Sequence, residues 1–220
     1  QGPYYCSVGI DRAFGREVAE EHARLCDRAG LLYYGLNAEV MPGQWEFQIG
    51  YRGGEGDDPS MMNACDHLWI ARYLLHRVAE SHGVTVSFDN KPMKGDWNGA
   101  GMHTNFSSKA TRAEGGIDAI NAAVRRLSRR HAEHIAVYGA NLDERLTGKH
   151  ETSSITEFKA GAADRGASIR IPLGVEQAGS GYFEDRRPGA NADPYKVAAQ
   201  LAATVFELGN AGLLEAANAA

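Results

Sequence analysis

The sequence is poor in cysteine, in lysine and in long apolar runs. Its 220 residues hold three cysteines, Cys6, Cys26 and Cys65. They are odd in number, widely spaced and without a CxxC pair. That argues against a disulfide framework or a thiolate zinc site and fits a reducing cytoplasm. No apolar stretch approaches the roughly 18–20 residues that a membrane helix needs. The N-terminus, Gln1-Gly2-Pro3-Tyr4-Tyr5, has neither a basic region nor a following apolar run, so it does not read as a signal peptide. There is no initiator Met, and a fragment is expected. Positive charge is also short: 23 basic against 28 acidic residues give a formal net charge of −5. That argues against a surface built to grip nucleic acid or anionic lipid. Within the basic set, 6 Lys stand against 17 Arg. Arginine is favoured where carboxylate or phosphate is gripped bidentately, although arginine-rich coding also follows genome composition.

What is present is an alternation of helical and extended signals. Asp11 reads as the N-cap of a helix to about Ala29, with Val18, Leu25 and Ala29 on one face and Gly30 as its stop. Leu31–Val40 and Gln44–Gly50 read as strands around a Met41-Pro42-Gly43 corner, and Tyr51–Ser60 as a flexible loop. An amphipathic helix follows over Met62–Ser81, stopped by Gly83. Val84–Asp89 and Met102–Phe106 are expected as strands. Ile117–Tyr138 is a long helix closed by Gly139, its Arg125, Arg126, Arg129 and Arg130 forming a solvated face. Ala167–Ile171 and Tyr182–Arg187 are further strands. Asp193-Pro194 then starts a helix to about Leu208 by cap and N1 proline. Hairpin-like pairs separated by long helices predict an α+β fold with a mostly antiparallel sheet. The chain divides into residues 1–208 and an Ala-rich tail at 209–220.

The first chemically loaded segment is Asn37-Ala-Glu-Val-Met-Pro-Gly-Gln-Trp-Glu-Phe-Gln48. With Pro42-Gly43 as a two-residue turn, Glu39 falls directly opposite Glu46. Like charges so placed repel. Period-2 alternation puts Trp45, Phe47 and Ile49 on one face and Gln44, Glu46 and Gln48 on the other. Two readings stand: an exposed hairpin with solvated glutamates, or a pair of oxygen ligands for Mg²⁺ or Mn²⁺. A one-residue slip in register would separate the two carboxylates.

Further on come Gly95-Asp-Trp-Asn-Gly-Ala-Gly-Met-His-Thr-Asn-Phe-Ser107 and Arg145-Leu-Thr-Gly-Lys-His-Glu-Thr152. Asp164-Arg-Gly-Ala-Ser-Ile-Arg-Ile-Pro172 and Gly181-Tyr-Phe-Glu-Asp-Arg-Arg-Pro188 complete the series. With the acidic hairpin, these motifs resemble, in order and approximate spacing, the catalytic domain of the glutamine synthetase family, of the eukaryotic-like type II. The resemblance runs from about Gly2 to about Leu208. It implies a curved, mostly antiparallel sheet with flanking helices, the glutamine synthetase/guanido kinase type. It also implies ATP-dependent ligation of L-glutamate and ammonium through γ-glutamyl phosphate, in the cytoplasm and in a homo-oligomer of stacked rings. A γ-glutamyl ligase for another amine, or a non-catalytic remnant that keeps the fold, are the alternatives.

The resemblance makes Glu39 and Glu46 ligands of one divalent metal, Mg²⁺ or Mn²⁺, and His103 and Glu184 ligands of a second. Asn98, Gly99 and His103, with Arg145 at the substrate carboxylates and Arg186 at the γ-carboxylate and transferred phosphoryl, form the substrate set. Arg165 and Arg170 match phosphate-binding arginines. Asn105, Phe106, Ser107 and Tyr182 match the surroundings of the ATP base and ribose. Glu151 matches a flap glutamate that closes over bound glutamate and helps take a proton from ammonium; Glu151, Arg145, Arg165 and Arg186 are the catalytic set. The chemistry is consistent, because crowded phosphates and carboxylates need metals and guanidinium forks to lower their repulsion. Alternation puts Tyr182, Glu184 and Arg186 on one strand face. Three features depart from the family. Nothing corresponds to its N-terminal β-grasp domain or to its first Glu-x-Glu strand, so four of six expected metal ligands are present. The Tyr51–Cys65 loop is also longer than usual. Thr147-Gly-Lys-His150 is not a phosphate-binding loop, because the glycine required six residues before Lys149 is Asp143.

Overall fold

The computed structural model describes residues 2–50 and 56–208. Part of the expected Tyr51–Ser60 loop and the tail at 209–220 lie outside them. The chain forms two compact units. The first is drawn from the chain up to Ser87 plus Met93–Trp97, the second from Phe88–Pro92 plus the chain from Asn98 onward.

In the first unit, helix α1 is Arg16–Arg28, four residues shorter at its start than expected. Gly15 takes a left-handed conformation at φ 78° and serves as the cap, with no side-chain hydrogen bond. Asp11 instead lies beside Arg12, at 3.6 Å. The buried stripe is Ala19, His22 and Cys26, rotated by about one residue from the expected face. Strands β1, Tyr33–Ala38, and β2, Trp45–Ile49, form an antiparallel hairpin. Helix α2, Met61–Ser81, begins where the Ser60 hydroxyl accepts from the Asn63 N–H and ends before Gly83 at φ 67°. Cys26, Leu31 and Ala71 form the core, with Tyr33, Phe47, Ile49 and Leu74 packed on it. His22 donates from Nε2 to the Ala71 carbonyl at 2.9 Å, which ties α1 to α2. Val84–Asp89, expected as a strand, joins no ladder among the described residues. Its period-2 pattern is real, and a strand needs a neighbour as well as a pattern.

The second unit is built on a four-stranded sheet in the order β3-β6-β5-β4. Strand β3 is Thr104–Phe106, followed by the short helix α3, Lys109–Arg112, which Ser108 and Thr111 open with a reciprocal capping box. The long helix expected over Ile117–Tyr138 is two helices, α4, Ile117–Arg129, and α5, His131–Val137, broken at Arg130 with φ −107° and ψ 20°. Strand β4, Ala160–Ala162, was not anticipated; its Ala-Gly-Ala sequence carries no strand signal. Strand β5 is Ile169–Ile171, helix α6 is Leu173–Ala178, and strand β6 is Phe183–Asp185. Helix α7, Pro194–Val205, is capped by the Asp193 carboxylate on the Tyr195 N–H at 3.0 Å, with proline at N1. Two of the three strand pairings are antiparallel and β4–β5 is parallel. Phe106, Ile169, Ile171 and Phe183 face a core shared with Ile120 and Leu127 of α4 and Val197 and Leu201 of α7. The whole is a mixed α+β arrangement of helices with small sheets.

Candidate active site

The acidic hairpin has a different register from the expected one. Ala38 faces Trp45 and Asn37 faces Glu46, so Glu39 lies diagonal to Glu46 rather than opposite it. The turn explains the two-residue shift. Gln44 N–H donates to the Met41 carbonyl at 3.0 Å across Pro42-Gly43, and Gly43 sits at φ 76°. Such a Pro-Gly turn does not match the twist of a two-residue hairpin, so the ladder closes one pair further out, at Glu39–Gln44 (2.8 Å). A shift of two preserves the faces, and both carboxylates remain on one side. Asn37 Nδ2 donates to Glu39 Oε1 at 2.9 Å, and Gln48 Nε2 donates to Glu46 Oε1. Burial, then a hydrogen bond and charge repulsion from Glu46, push Glu39 up to about 7. Two carboxylates on one face that repel each other in this way are a fitting oxygen pair for a hard divalent cation.

The second unit gathers most of the remaining candidates on one sheet face. Asn105 of β3 pairs with Glu184 of β6, and Glu184 with Arg170 of β5. Alternation adds His103, Tyr182 and Arg186 to that face. Glu184 is the hub: Oε1 is 3.2 Å from His103 Nδ1 and 3.0 Å from Arg186 Nη1, and Oε2 accepts from Arg170 Nη1 at 3.1 Å. Burial alone would raise the Glu184 pKa, but His103, Arg186 and Arg170 overcome it and hold the carboxylate down at about 2. Arg145, 5% exposed, donates Nη2 to the Arg186 carbonyl at 3.0 Å and Nη1 to the Arg187 carbonyl at 3.3 Å. Nη2 also meets His103 Nε2 at 3.0 Å. Arginine only donates, so Nε2 accepts and the His103 proton sits on Nδ1, toward Glu184. Crowding by protein atoms lowers the His103 pKa, Arg186 and Arg145 lower it further, and Glu184 opposes them. The ring is therefore a neutral imidazole at pH 7.

The loop before β3 is shaped around Arg145. A Cβ on Gly99 would fall 2.7 Å from Arg145 Cγ and from the Asn90 carbonyl, and one on Gly101 would fall 2.7 Å from Arg145 Cζ. These glycines let the Asn98–Gly101 backbone lie against the guanidinium. Ala100 N–H donates to the Asn90 carbonyl at 2.8 Å, which anchors that loop. On the other side, Arg186 Nη2 donates to the Glu151 carbonyl at 3.4 Å, and Arg165 Nη1 lies 3.7 Å from Glu151 Oε1. His150 and Glu151 are both left-handed, at φ 53° and 62°. Of the expected nucleotide surroundings, Asn105 is exposed and Tyr182 is 37% exposed, whereas Phe106 is buried against Phe183, ring centroids 5.6 Å apart. The Phe106 side chain belongs to the core, so only its backbone is free to contribute to a site. Ser107 Oγ accepts from Arg112.

Among the described residues, no three His, Cys, Asp or Glu side chains form a metal cluster. Glu39 with Glu46, in the first unit, and His103 with Glu184, in the second, are two donors each. His103 Nδ1 and Glu184 Oε1, 3.2 Å apart, would offer a cation one nitrogen and one oxygen, with Nδ1 giving up its proton on binding. The buried Nε atoms of Arg170 and Arg186 have no partner among the described residues, which suits phosphate or carboxylate oxygens.

Sequence reasoning missed the layer beneath this face. Asp185 and Arg187, on the opposite side of β6 and 0% and 1% exposed, form a bidentate pair at 2.9 and 2.7 Å. Tyr138 donates to Asp185 Oδ2 at 2.7 Å, and His134 bridges Tyr138 at 2.5 Å and Thr204 at 2.8 Å. The signal was available: alternation that puts Glu184 and Arg186 on a wet face puts Asp185 and Arg187 in the core, where charges must be paired.

The chain matches the family described as glutamine synthetase, catalytic domain, over residues 5–211. The glutamine synthetase of Emericella nidulans is 57% identical over 205 residues, covering 93% of this chain and 56% of that protein. That of Kluyveromyces lactis is 55% identical over 218 residues, covering 99% and 55%. Glutamine synthetase PR-1 of Phaseolus vulgaris is 54% identical over 206 residues, covering 94% and 56%. The chain thus spans about half the length of the curated relatives it matches. It belongs to the glutamine synthetase catalytic-domain family.

Proposed function

We propose that the whole protein ligates L-glutamate and ammonium to L-glutamine, driven by ATP and passing through γ-glutamyl phosphate. The observation that carries this reading is the charge balance of the sheet face. Two guanidiniums, Arg170 and Arg186, hold the single carboxylate of Glu184, a third, Arg145, abuts His103 beside it, and Arg170 and Arg186 each keep a buried N–H without a partner among the described residues. Such a face calls for anions with several oxygens.

In this reading Arg145, clamped by two backbone carbonyls, orients the substrate carboxylates beside Asn98 and Gly99. Arg186, fixed by Glu184 and the Glu151 carbonyl, directs its free N–H toward the γ-carboxylate and the phosphoryl group. Arg165 and Arg170 balance phosphate charge, and Asn105, Ser107 and Tyr182 border the nucleotide, with Phe106 supporting them from the core. Glu151 accepts a proton from ammonium as the flap closes. ATP supplies the phosphoryl group, and Mg²⁺ or Mn²⁺, held by Glu39 and Glu46 and by His103 and Glu184, offsets the phosphate charge. The same reading gives a cytoplasmic homo-oligomer of stacked rings with a curved antiparallel sheet.

Phosphate release by the whole protein with glutamate, ATP and Mg²⁺ or Mn²⁺ tests the proposal. Release that requires ammonium and yields glutamine supports it. Release that ignores ammonium but responds to methylamine or ethanolamine would favour a γ-glutamyl ligase for another amine. No release in any mixture would favour a non-catalytic protein.

A further inference from the structure

We propose that His131 is a positioning residue, pinning the stem of the Glu151 flap to the strand that carries Glu184 and Arg186. The flap Lys149–Thr152 rises from a narrow stem in which Thr147 bridges Ser154 and the Ile155 N–H donates to the Leu146 carbonyl at 2.9 Å. The free side of that stem, the Ile155 carbonyl, is 2.9 Å from His131 Nε2. The other ring nitrogen, Nδ1, is 3.1 Å from Arg187 Nη1. Arginine has no acceptor, so Nδ1 accepts and Nε2 carries the proton that goes to Ile155. Both ring nitrogens are thereby used, and the imidazole bridges flap stem and strand.

Three further observations fix this bridge. Arg187 cannot swing away, because its remaining nitrogens hold Asp185 at 2.9 and 2.7 Å and its guanidinium lies over the Tyr138 and Phe158 rings at 5.2 and 5.4 Å. The His131 ring meets Phe158 edge-on at 5.8 Å. The helix break at Arg130 puts His131 at the first position of α5 rather than on the continuing face of α4.

The pin matters because the flap is strained. Two consecutive non-glycine residues in left-handed conformation cost on the order of 1–2 kcal/mol each and persist only where the surroundings over-determine them. Those residues are His150 and Glu151. The Glu151 carbonyl meets Arg186 Nη2 at 3.4 Å, and Arg186 adjoins Arg187 in the chain. One strand segment therefore holds the flap twice, directly through Arg186 and at its stem through Arg187 and His131. The link to catalysis rests on the ligase reading; the pin itself does not.

Amide hydrogen exchange separates the two, with His131→Leu removing both hydrogen bonds and His131→Gln able to accept and donate in their place. In His131→Leu the Thr147, Thr152 and Ile155 amides are expected to exchange at least tenfold faster, with the α4 and α7 amides within twofold of the parent. His131→Gln is expected to restore the parent pattern. In the whole protein, His131→Leu is expected to lower ammonium-dependent kcat at least tenfold while KM for ATP stays within twofold. Unchanged stem exchange, equal loosening everywhere, failure of His131→Gln to restore protection, or an unchanged kcat would each overturn the proposal. Failure of the ligase reading is distinguishable, because the parent would then show no turnover while the exchange pattern still reports the pin.

Discussion

Replacing Asp185 by Asn tests whether the sheet face depends on the charge pair beneath it. The Asp185 carboxylate accepts four hydrogen bonds: Arg187 N at 3.1 Å and Nε at 2.9 Å on Oδ1, Arg187 Nη2 and the Tyr138 hydroxyl, both at 2.7 Å, on Oδ2. Burial works against its ionisation, but Arg187 wins and holds its pKa below the ordinary carboxylate range, so it is charged at neutral pH. Asparagine keeps the shape and one accepting oxygen, and turns an NH₂ toward Arg187 Nη2 and Tyr138. The Tyr138 contact can adapt, since Tyr138, His134 and Thr204 form a relay that can reverse its donors. Arg187 cannot adapt, and it is left as a buried cation facing a donor. Breaking a buried pair from one side costs about 3–5 kcal/mol. At about 1.4 kcal/mol per tenfold, exchange at the sheet amides should rise by roughly two to three and a half orders of magnitude. The Arg186 and Ile169 amides, bonded to Ser168 and Lys159 carbonyls at 2.9 and 3.0 Å, are suitable reporters. Tryptophan fluorescence is not, because Trp45, Trp69 and Trp97 all belong to the first unit. Adding Arg187→Met should recover much of the loss, since it removes the orphaned charge. A loss under about 1 kcal/mol, or a double variant no more stable than Asp185→Asn, would refute the argument that Arg187 depends on this one carboxylate.

Other outcomes follow from the same geometry. Mn²⁺ binding measured by calorimetry should weaken sharply in Glu46→Ala; equal affinity would remove the hairpin from the metal assignment. His134 is held down at about 3, by burial first and then by Arg187. Between the ordinary histidine value near 6.5 and about 3, the unfolded chain binds the proton that the folded one refuses. Stability should therefore be fully present above about pH 6.5 and fall with decreasing pH by up to about 1.4 kcal/mol per unit, and His134→Gln should flatten that slope in urea titrations. Gly101→Ala drives a methyl into the guanidinium of Arg145 and should loosen its three contacts, costing roughly 2–4 kcal/mol. A loss of glutamate affinity larger than any loss of ATP affinity would follow; equal losses would argue against Arg145 as the carboxylate arm.

How much of this was legible depended on whether a feature is local. Asp193-Pro194 could be read as a helix start because a cap needs only its own next three residues. The site face of β6 could be read from alternation alone, since Glu184 and Arg186 are two residues apart whatever lies across the sheet. Three features needed partners that no window of sequence contains. Val84–Asp89 has the pattern of a strand without a ladder. The turn stopped Asn37–Gln48 from closing in the expected register, yet an even shift of two kept Glu39 and Glu46 on one face, so the pairing was wrong and the shared face was right. The helix Ile117–Tyr138 breaks at Arg130 although its apolar period runs through, and the partners of His131 just past the break, the Ile155 carbonyl and the Arg187 guanidinium, lie about 25 and 57 residues onward. Periodicity records which faces are apolar. It does not record that His131, the first residue of the second helix, gives a buried arginine an acceptor at its third nitrogen.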